Sequence, residues 1–351
     1  MSKFELENEL YEALKKTQNK GGEDDQPTTT FAEENDDAEY EDDEEYDDED
    51  FGEEEYEEEV VEISENEMLA LLDQQQDPFE VCQQIFDKEK LFEANPEQVL
   101  IEPNVTVQHF RDLYNNGYVV VDNFIPFEQA QEIHDLAKKL SHTFKPACEM
   151  KMSYEDEAED TFRDNTARSD VIRWLHPKDF TSELTDESKK TSLSCCCTDS
   201  SEDIIQWKGN ETLRGVVLNK FKVIQKKINE FAPCVKYDDA KMELMWSLYK
   251  SHGTYYEKHR DSFPSNGKDE GPLDQRKVTA LLYMNTEWKD ESDGGQLKIF
   301  IKPENASKHT ERTTKLINPT AGRLVLFLSG ALDHEVMASF KDRVALTSWL
   351  S

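Results

Sequence analysis

The chain has 351 residues and a mass of 40.8 kDa, enough for one large domain or two ordinary ones with a sizeable core. Lys and Arg total 40 against 77 Asp and Glu, a net charge of −37, which repels nucleic acid and anionic membranes and excludes both as expected partners. No apolar run approaches the roughly 18 to 20 residues of a membrane span. The opening MSKFELENELYEALKK lacks the apolar core of a signal peptide, so the expectation is a soluble protein of the cytoplasm and/or nucleus.

In chain order, residues 2–18 place Ser2 and Glu5 at capping-box spacing, with Leu6, Leu10, Ala13 and Leu14 on one helical face, as in a helix that docks on a partner. Between Glu33 and Glu59, 20 of 27 positions are acidic and none is basic. Such a run cannot collapse against its own repulsion; without its charge the net value would be −17. Ser64 and Glu67 repeat the capping signature ahead of Met68, Leu69, Leu71 and Leu72, which fits either a short helix on the folded body or a partner-binding motif. The expected organisation is therefore residues 1–75 as an acidic, mostly disordered tail with short amphipathic helices, residues 76–104 as a linker and helical lead-in, and residues 105–351 as the folded domain.

Residues 106–114 predict a helix closed by Asn116-Gly117, followed by the strand Tyr118–Val121 and a helix over Phe127–Leu140. Residues 180–205, rich in Ser, Thr, Asp and Cys, read as a loop, and Leu213–Phe231 as a second long helix. After residue 240 come five strands: MELMWSLY, VTALLYMN, QLKIFI behind the Gly294-Gly295 turn, GRLVLFL and RVALTSWL. The fold class is α+β, with helices packed outside an antiparallel sandwich or barrel whose mouth is the natural pocket. The six cysteines, Cys82, Cys148, Cys195, Cys196, Cys197 and Cys234, fit neither a disulfide framework nor a CxxC metal knuckle, so reduced thiols are expected. The sequons at Asn104, Asn210 and Asn305 are read as chance matches.

His259 and Asp261 are two apart, so in an extended chain their side chains share a side and can share a metal. His309-x-Glu311 repeats the spacing in a polar loop and is expected by chance in so acidic a chain. His334 follows the apolar strand Leu324–Leu328 and can add a third ligand, completing the two-histidine, one-carboxylate facial triad of non-haem Fe(II) oxygenases. Arg343 opens the apolar strand RVALTSWL, where a guanidinium needs a buried anion. A dicarboxylic cosubstrate would serve, held bidentately, and so would an internal Asp or Glu.

The order His259-x-Asp261, His334, Arg343 resembles the Fe(II)- and 2-oxoglutarate-dependent dioxygenases, in particular their prolyl 4-hydroxylase branch and the oxygen-sensing enzymes that act on hypoxia-inducible factor. The likeness covers roughly residues 105–351. It includes Arg168-x-Asp170-x-Ile172-x-Trp174, Tyr249 with His252-Gly253-Thr254 and Tyr256, the segment Val278–Asn285, Trp288, Gly294-Gly295, and Arg343-x-Ala-x-Thr347-x-Trp349. The stretch from Pro177 to Asn210, with its cysteine triplet, departs from the family and leaves the particular substrate open.

The resemblance implies a double-stranded β-helix (jelly-roll) core, with Fe(II), 2-oxoglutarate and O2 as cofactors and ascorbate as an optional addition. It implies His259, Asp261 and His334 as metal ligands, and Arg343 with Tyr283 as holders of the distal carboxylate. Tyr249, Met245, Thr279, Leu297, Thr347 and Trp349 would line the cosubstrate pocket. The implied reaction is 4-hydroxylation of a prolyl residue in an intracellular protein, coupled to decarboxylation of 2-oxoglutarate to succinate and CO2. Two alternatives stand beside it: an acidic-tail binding module for basic proteins, and a dioxygenase of the same fold acting on a non-prolyl substrate.

Overall fold

The computed structural model describes residues 77–147, 167–180, 201–236, 243–268, 276–303 and 312–351. The acidic run Glu33–Glu59, the two amphipathic helices expected around it, Cys148, the Cys195–Cys197 triplet and His309-x-Glu311 lie outside the described residues. The described chain opens with short helices Pro78–Gln83 and Lys88–Glu93, then the hairpin of β1 (Val99–Ile101) and β2 (Val105–Thr106). Helix Val107–Asn116 follows, ended by Gly117 at φ 77°, a left-handed cap that an L side chain rarely adopts. Next come β3 (Tyr118–Val121), helix Phe127–Lys139, β4 (Lys145–Pro146) and β5 (Val171–Leu175).

Eight further strands complete the described chain: β6 (Glu243–Tyr249), β7 (Thr254–His259), β8 (Val278–Tyr283), β9 (Leu297–Ile301), β10 (Thr313–Ile317), β11 (Leu324–Leu328), β12 (Asp333–Ser339) and β13 (Arg343–Leu350). A seven-stranded sheet runs β3-β11-β8-β13-β6-β5-β4 and a four-stranded sheet runs β10-β9-β12-β7, with antiparallel pairing throughout. This is the jelly-roll core.

Side-chain alternation divides the larger sheet between two cores. From β6, β8, β11 and β13, residues such as Trp246, Leu282, Leu326 and Leu346 join a cluster with Phe110, Ile133, Ile224 and Ile228 of the helices. Their neighbours Tyr249, Leu281, Tyr283, Phe327 and Ala345 face the other way and meet Leu297, Ile299, Leu332 and Val336 of the smaller sheet's side. With both faces covered, β8, β11 and β13 are buried along their whole length and read as continuous apolar runs.

The smaller sheet explains what the sequence concealed. Its strands β7, β10 and β12, in TYYEKH, TTKLI and DHEVMAS, keep polar residues at exposed or half-exposed positions, and four of the five residues of β10 are exposed. The five expected strands are therefore eight. A second correction concerns residues 180–205: Ser201–Lys208 is a helix rather than loop. Its periodicity misleads because Asp203 and Lys208 are buried while Ile205 is exposed. The long helix expected from Leu213 begins at Glu211 and includes a π-helical stretch, Val216–Phe221, before Lys222–Phe231.

Two of the three sequons are tied down. Asn210 accepts from Leu213 N–H and donates to Glu132, and Asn104 donates to the Asp122 carbonyl. Leu326 is fully buried at the centre of β11, so Leu326→Ala should cost about 2 to 5 kcal/mol in urea unfolding. Thr314→Ala on exposed β10 should stay within about 0.5 kcal/mol.

Candidate metal centre

The register between β7 and β12 makes His259 and His334 direct cross-strand partners. Residues paired in this way carry their side chains on one face within about 5 Å at Cβ, and Asp261, two residues beyond His259, returns to the same side. The result is a cluster in which one ligand atom from each of His259, Asp261 and His334 lies within 4.8 Å of the others. The Asp261 Oδ1 atom stands 3.5 Å from His259 Nε2 and 3.7 Å from His334 Nε2. Arg260, between the first two ligands, directs Nε and Nη2 at Asp333 Oδ1 (2.8 and 2.7 Å), locking the end of β7 to the residue before His334.

The outer contacts fix which atoms face inward. His259 Nδ1 lies 2.7 Å from the Glu257 carbonyl and His334 Nδ1 lies 3.1 Å from the Leu332 carbonyl. A carbonyl only accepts, so each Nδ1 carries a proton and each Nε2 is the ring nitrogen turned toward the centre. Tyr256 stacks on His259 at 3.6 Å and Phe327 meets His334 edge-on at 4.7 Å. On the carboxylate, Oδ2 accepts from the Thr279 hydroxyl (2.6 Å) and the Trp349 indole N–H (3.0 Å), leaving Oδ1 toward the histidines.

Burial alone would raise the Asp261 carboxyl, but His334, His259 and Thr279 outweigh it and hold the group below the usual carboxylate range. Burial, aided by neighbouring His259, pushes His334 down to about 4. The cluster thus brings two imidazole nitrogens and one carboxylate oxygen together, a donor set that fits Fe(II) and leaves coordination positions open.

Strand β8 leads from this cluster to the second feature. Thr279, Leu281 and Tyr283 share its inner face, spanning about 13 Å at the strand rise. Beyond Tyr283 lies Arg343, 1% exposed, which donates from Nε to the Gly295 carbonyl (2.9 Å) and from Nη2 to the Tyr283 hydroxyl at a long 3.4 Å. The guanidinium also lies 4.7 Å from the Tyr249 ring centroid and 5.0 Å from that of Tyr283. Among the described residues no Asp or Glu pairs with it, so the internal salt bridge left open by the sequence is absent from them. Burial pushes both phenols up, so Tyr249 and Tyr283 stay protonated. Gly295, at φ 65°, lets the chain pass: a Cβ there would lie 3.1 Å from Arg343 Cδ and 2.8 Å from Ser339 Oγ.

The remaining candidates divide by position. Leu297 is buried on β9 in the cluster that holds Tyr249 and Tyr283. Thr347 on β13 is paired with Met245 and Leu281, with Trp349 two residues further on. Trp349 and Thr279 touch the carboxylate itself, a closer contact than pocket lining. The Arg168-x-Asp170 pair makes a buried bidentate ion pair, 2.8 Å at both bonds, and the Arg168 guanidinium lies 4.2 Å from the Tyr256 ring centroid. It therefore supports the ring stacked on His259 without facing the ligands.

Two contributors, the Phe327 ring and the Gly295 carbonyl, lie where the sequence marks only a strand and a turn, and their roles are defined by contact.

His334 supplies a pH test in the metal-free protein. Unfolded, a histidine takes its proton near pH 6.5; folded, His334 does so near 4. Between these values the unfolded state holds up to one more proton, so His334's contribution is complete above pH 6.5 and is lost as the pH falls toward 4. The slope from this residue is about 1 kcal/mol per pH unit. Urea unfolding with chelator at several pH values should show that loss, and His334→Asn should flatten it; equal slopes would refute the shift.

The comparisons agree with the geometry. Residues 244–351, which include all three cluster residues and Arg343, match the family model of the 2OG-Fe(II) oxygenase superfamily. The chain is 29% identical over 245 residues to the hypoxia-inducible factor prolyl hydroxylase of Caenorhabditis elegans, covering 68% of this chain and 27% of that protein. Against human Egl nine homolog 1 it is 26% identical over 235 residues, covering 67% and 43%. It thus spans less than half the length of these two relatives. A solved prolyl hydroxylase of Trichoplax adhaerens, in complex with a hypoxia-inducible factor peptide fragment, is similar at 22% identity and a TM-score of 0.46, over 69% of this chain and 86% of that one. Over residues 244–351, then, the chain matches the 2OG-Fe(II) oxygenase superfamily.

Proposed function

We propose that this protein is a prolyl 4-hydroxylase that uses Fe(II), 2-oxoglutarate and O2 to hydroxylate a proline in an intracellular protein. The observation that carries the reading is Arg343. A desolvated guanidinium with no carboxylate partner among the described residues, on the strand that also brings Trp349 to Asp261, calls for an external anion. Support for a prolyl substrate comes from the relatives, two of which are named as hypoxia-inducible factor prolyl hydroxylase and Egl nine homolog 1.

In this reading His259, Asp261 and His334 hold the metal. Bound together, the metal, 2-oxoglutarate and O2 supply oxidative decarboxylation to succinate and CO2 and the insertion of one oxygen atom into a substrate C–H bond. Arg343 binds the far carboxylate through its planar fork, and the neutral Tyr283 hydroxyl donates beside it. Leu281, Leu297 and Phe327 keep water from the space between carboxylate and metal, where a dry environment strengthens both attachments. Both Nδ1 protons are held by carbonyls, and none of the three ligands is required as an acid or base.

The same reading includes ascorbate as an addition in turnover assays, a cytoplasmic and/or nuclear location, and a basic protein partner for the acidic run. Among the described residues no helix is long and apolar enough to cross a membrane.

Arg343→Ala should raise the dissociation constant for 2-oxoglutarate by about a hundredfold, the scale of a lost bidentate charged contact, while metal affinity changes little. Unchanged 2-oxoglutarate affinity in calorimetry would overturn the assignment. For the substrate, cell lysate is incubated with Fe(II), 2-oxoglutarate and either wild type or His259→Ala, then searched by mass spectrometry for residues that gain one oxygen. Prolines modified only by the wild type are the expected outcome. Succinate release without any modified proline would defeat the prolyl reading.

A further inference from the structure

Asp261 has two oxygens, and only one faces the histidines. Its other oxygen, Oδ2, receives the Trp349 indole N–H at 3.0 Å and the Thr279 hydroxyl at 2.6 Å. An indole N–H can only donate and an ionised carboxylate can only accept, so the direction of both bonds is fixed. Thr279 Oγ1 therefore gives its single proton to Asp261. The next contact, 2.8 Å between Thr279 Oγ1 and Ser329 Oγ, can then run in one direction only, with Ser329 donating and Thr279 accepting. Ser329 is fully buried and Thr279 1% exposed, so water does not compete for either hydroxyl.

The strand order makes the chain possible. β11, β8 and β13 are neighbours. Thr279 is paired with Trp349 on one side and with Phe327, two residues before Ser329, on the other. Ser329 N–H is itself fixed on the Lys277 carbonyl. A relay of two hydroxyls thus crosses the sheet and ends on the carboxylate, each bond polarising the next.

We propose, resting on the metal reading of this site, that Ser329 is a positioning residue which acts through Thr279, and with the Trp349 indole confines Asp261 to one-oxygen ligation. With both hydrogen-bonding directions of Oδ2 occupied, only Oδ1 is free for a metal. A carboxylate released from these donors could rotate and chelate with both oxygens, closing a position that the cosubstrate or O2 needs. Ser329 touches neither metal nor cosubstrate; its role is to hold the Thr279 hydroxyl in the rotamer that donates to Oδ2.

The test uses the full chain and Co(II) alone, whose visible d–d absorption reports coordination number as well as affinity. Thr279→Val should weaken Co(II) binding about tenfold, the lower end of what lost support for a ligand costs, and shift the band envelope. Ser329→Ala should weaken it less, about threefold, consistent with an ordinary hydrogen bond acting at one remove. The double variant should be no worse than Thr279→Val, because Ser329 has no other route to the metal. Thr279→Ser, which keeps the hydroxyl, should restore affinity and spectrum even if the valine variant fails to fold.

Additive losses in the double variant, or a Ser329→Ala protein with unchanged thermal unfolding, affinity and spectrum, would overturn the relay. If the wild type itself failed to bind Co(II), the metal reading would fall and the relay with it. Variants that bind as the wild type does would remove only the relay.

Discussion

A half-buried carboxylate and a buried guanidinium stand in the same barrel without being paired to one another. Burial of either charge without compensation is expensive, and the walls answer each in a different way. Asp261 is surrounded by two imidazoles, a hydroxyl and an indole N–H, so it stays ionised with one oxygen left forward. Among the described residues Arg343 is given a carbonyl, a distant phenol and two ring faces. In the proposed reading a cation would complete one end of the site and an anion the other, and the alternation of β8 and β13 sets where each end falls.

The precision of the anionic end comes from strand register more than from any single contact. His259 and His334 meet because β7 and β12 pair in one register, and a slip of one residue would turn one imidazole out of the cavity. The Arg260–Asp333 ion pair and the bridge between Arg168 and Tyr256 hold that register from two sides. Ligand placement and sheet assembly are therefore one problem, which is why so much of the polar structure around the cluster lies outside the ligands themselves.

Much of this was legible in the sequence, for identifiable reasons. Strands β8, β11 and β13 are covered on both faces and show as apolar runs in which Arg343 stands out because a buried guanidinium needs a partner, while His259-x-Asp261 and His334 are legible from their spacing and order. Strands β7, β10 and β12 have a wetter face and resemble loops in their composition. Helix Ser201–Lys208 inverts the usual pattern, burying Asp203 and exposing Ile205. Thr279 and Trp349 look like ordinary core residues in a strand; only the side-chain directions show that their donors converge on one carboxylate oxygen.

The pairing of His259 with His334 also joins segments that are 75 residues apart in sequence. Nothing local brings these side chains together, so the entropy of closing a long loop must be overcome before the ligands meet. A metal that binds only the closed arrangement would act as a cross-link between the neighbouring strands β7 and β12, and its binding free energy would add to that of folding. Iron supply would then govern how long the folded protein persists, quite apart from how fast it turns over.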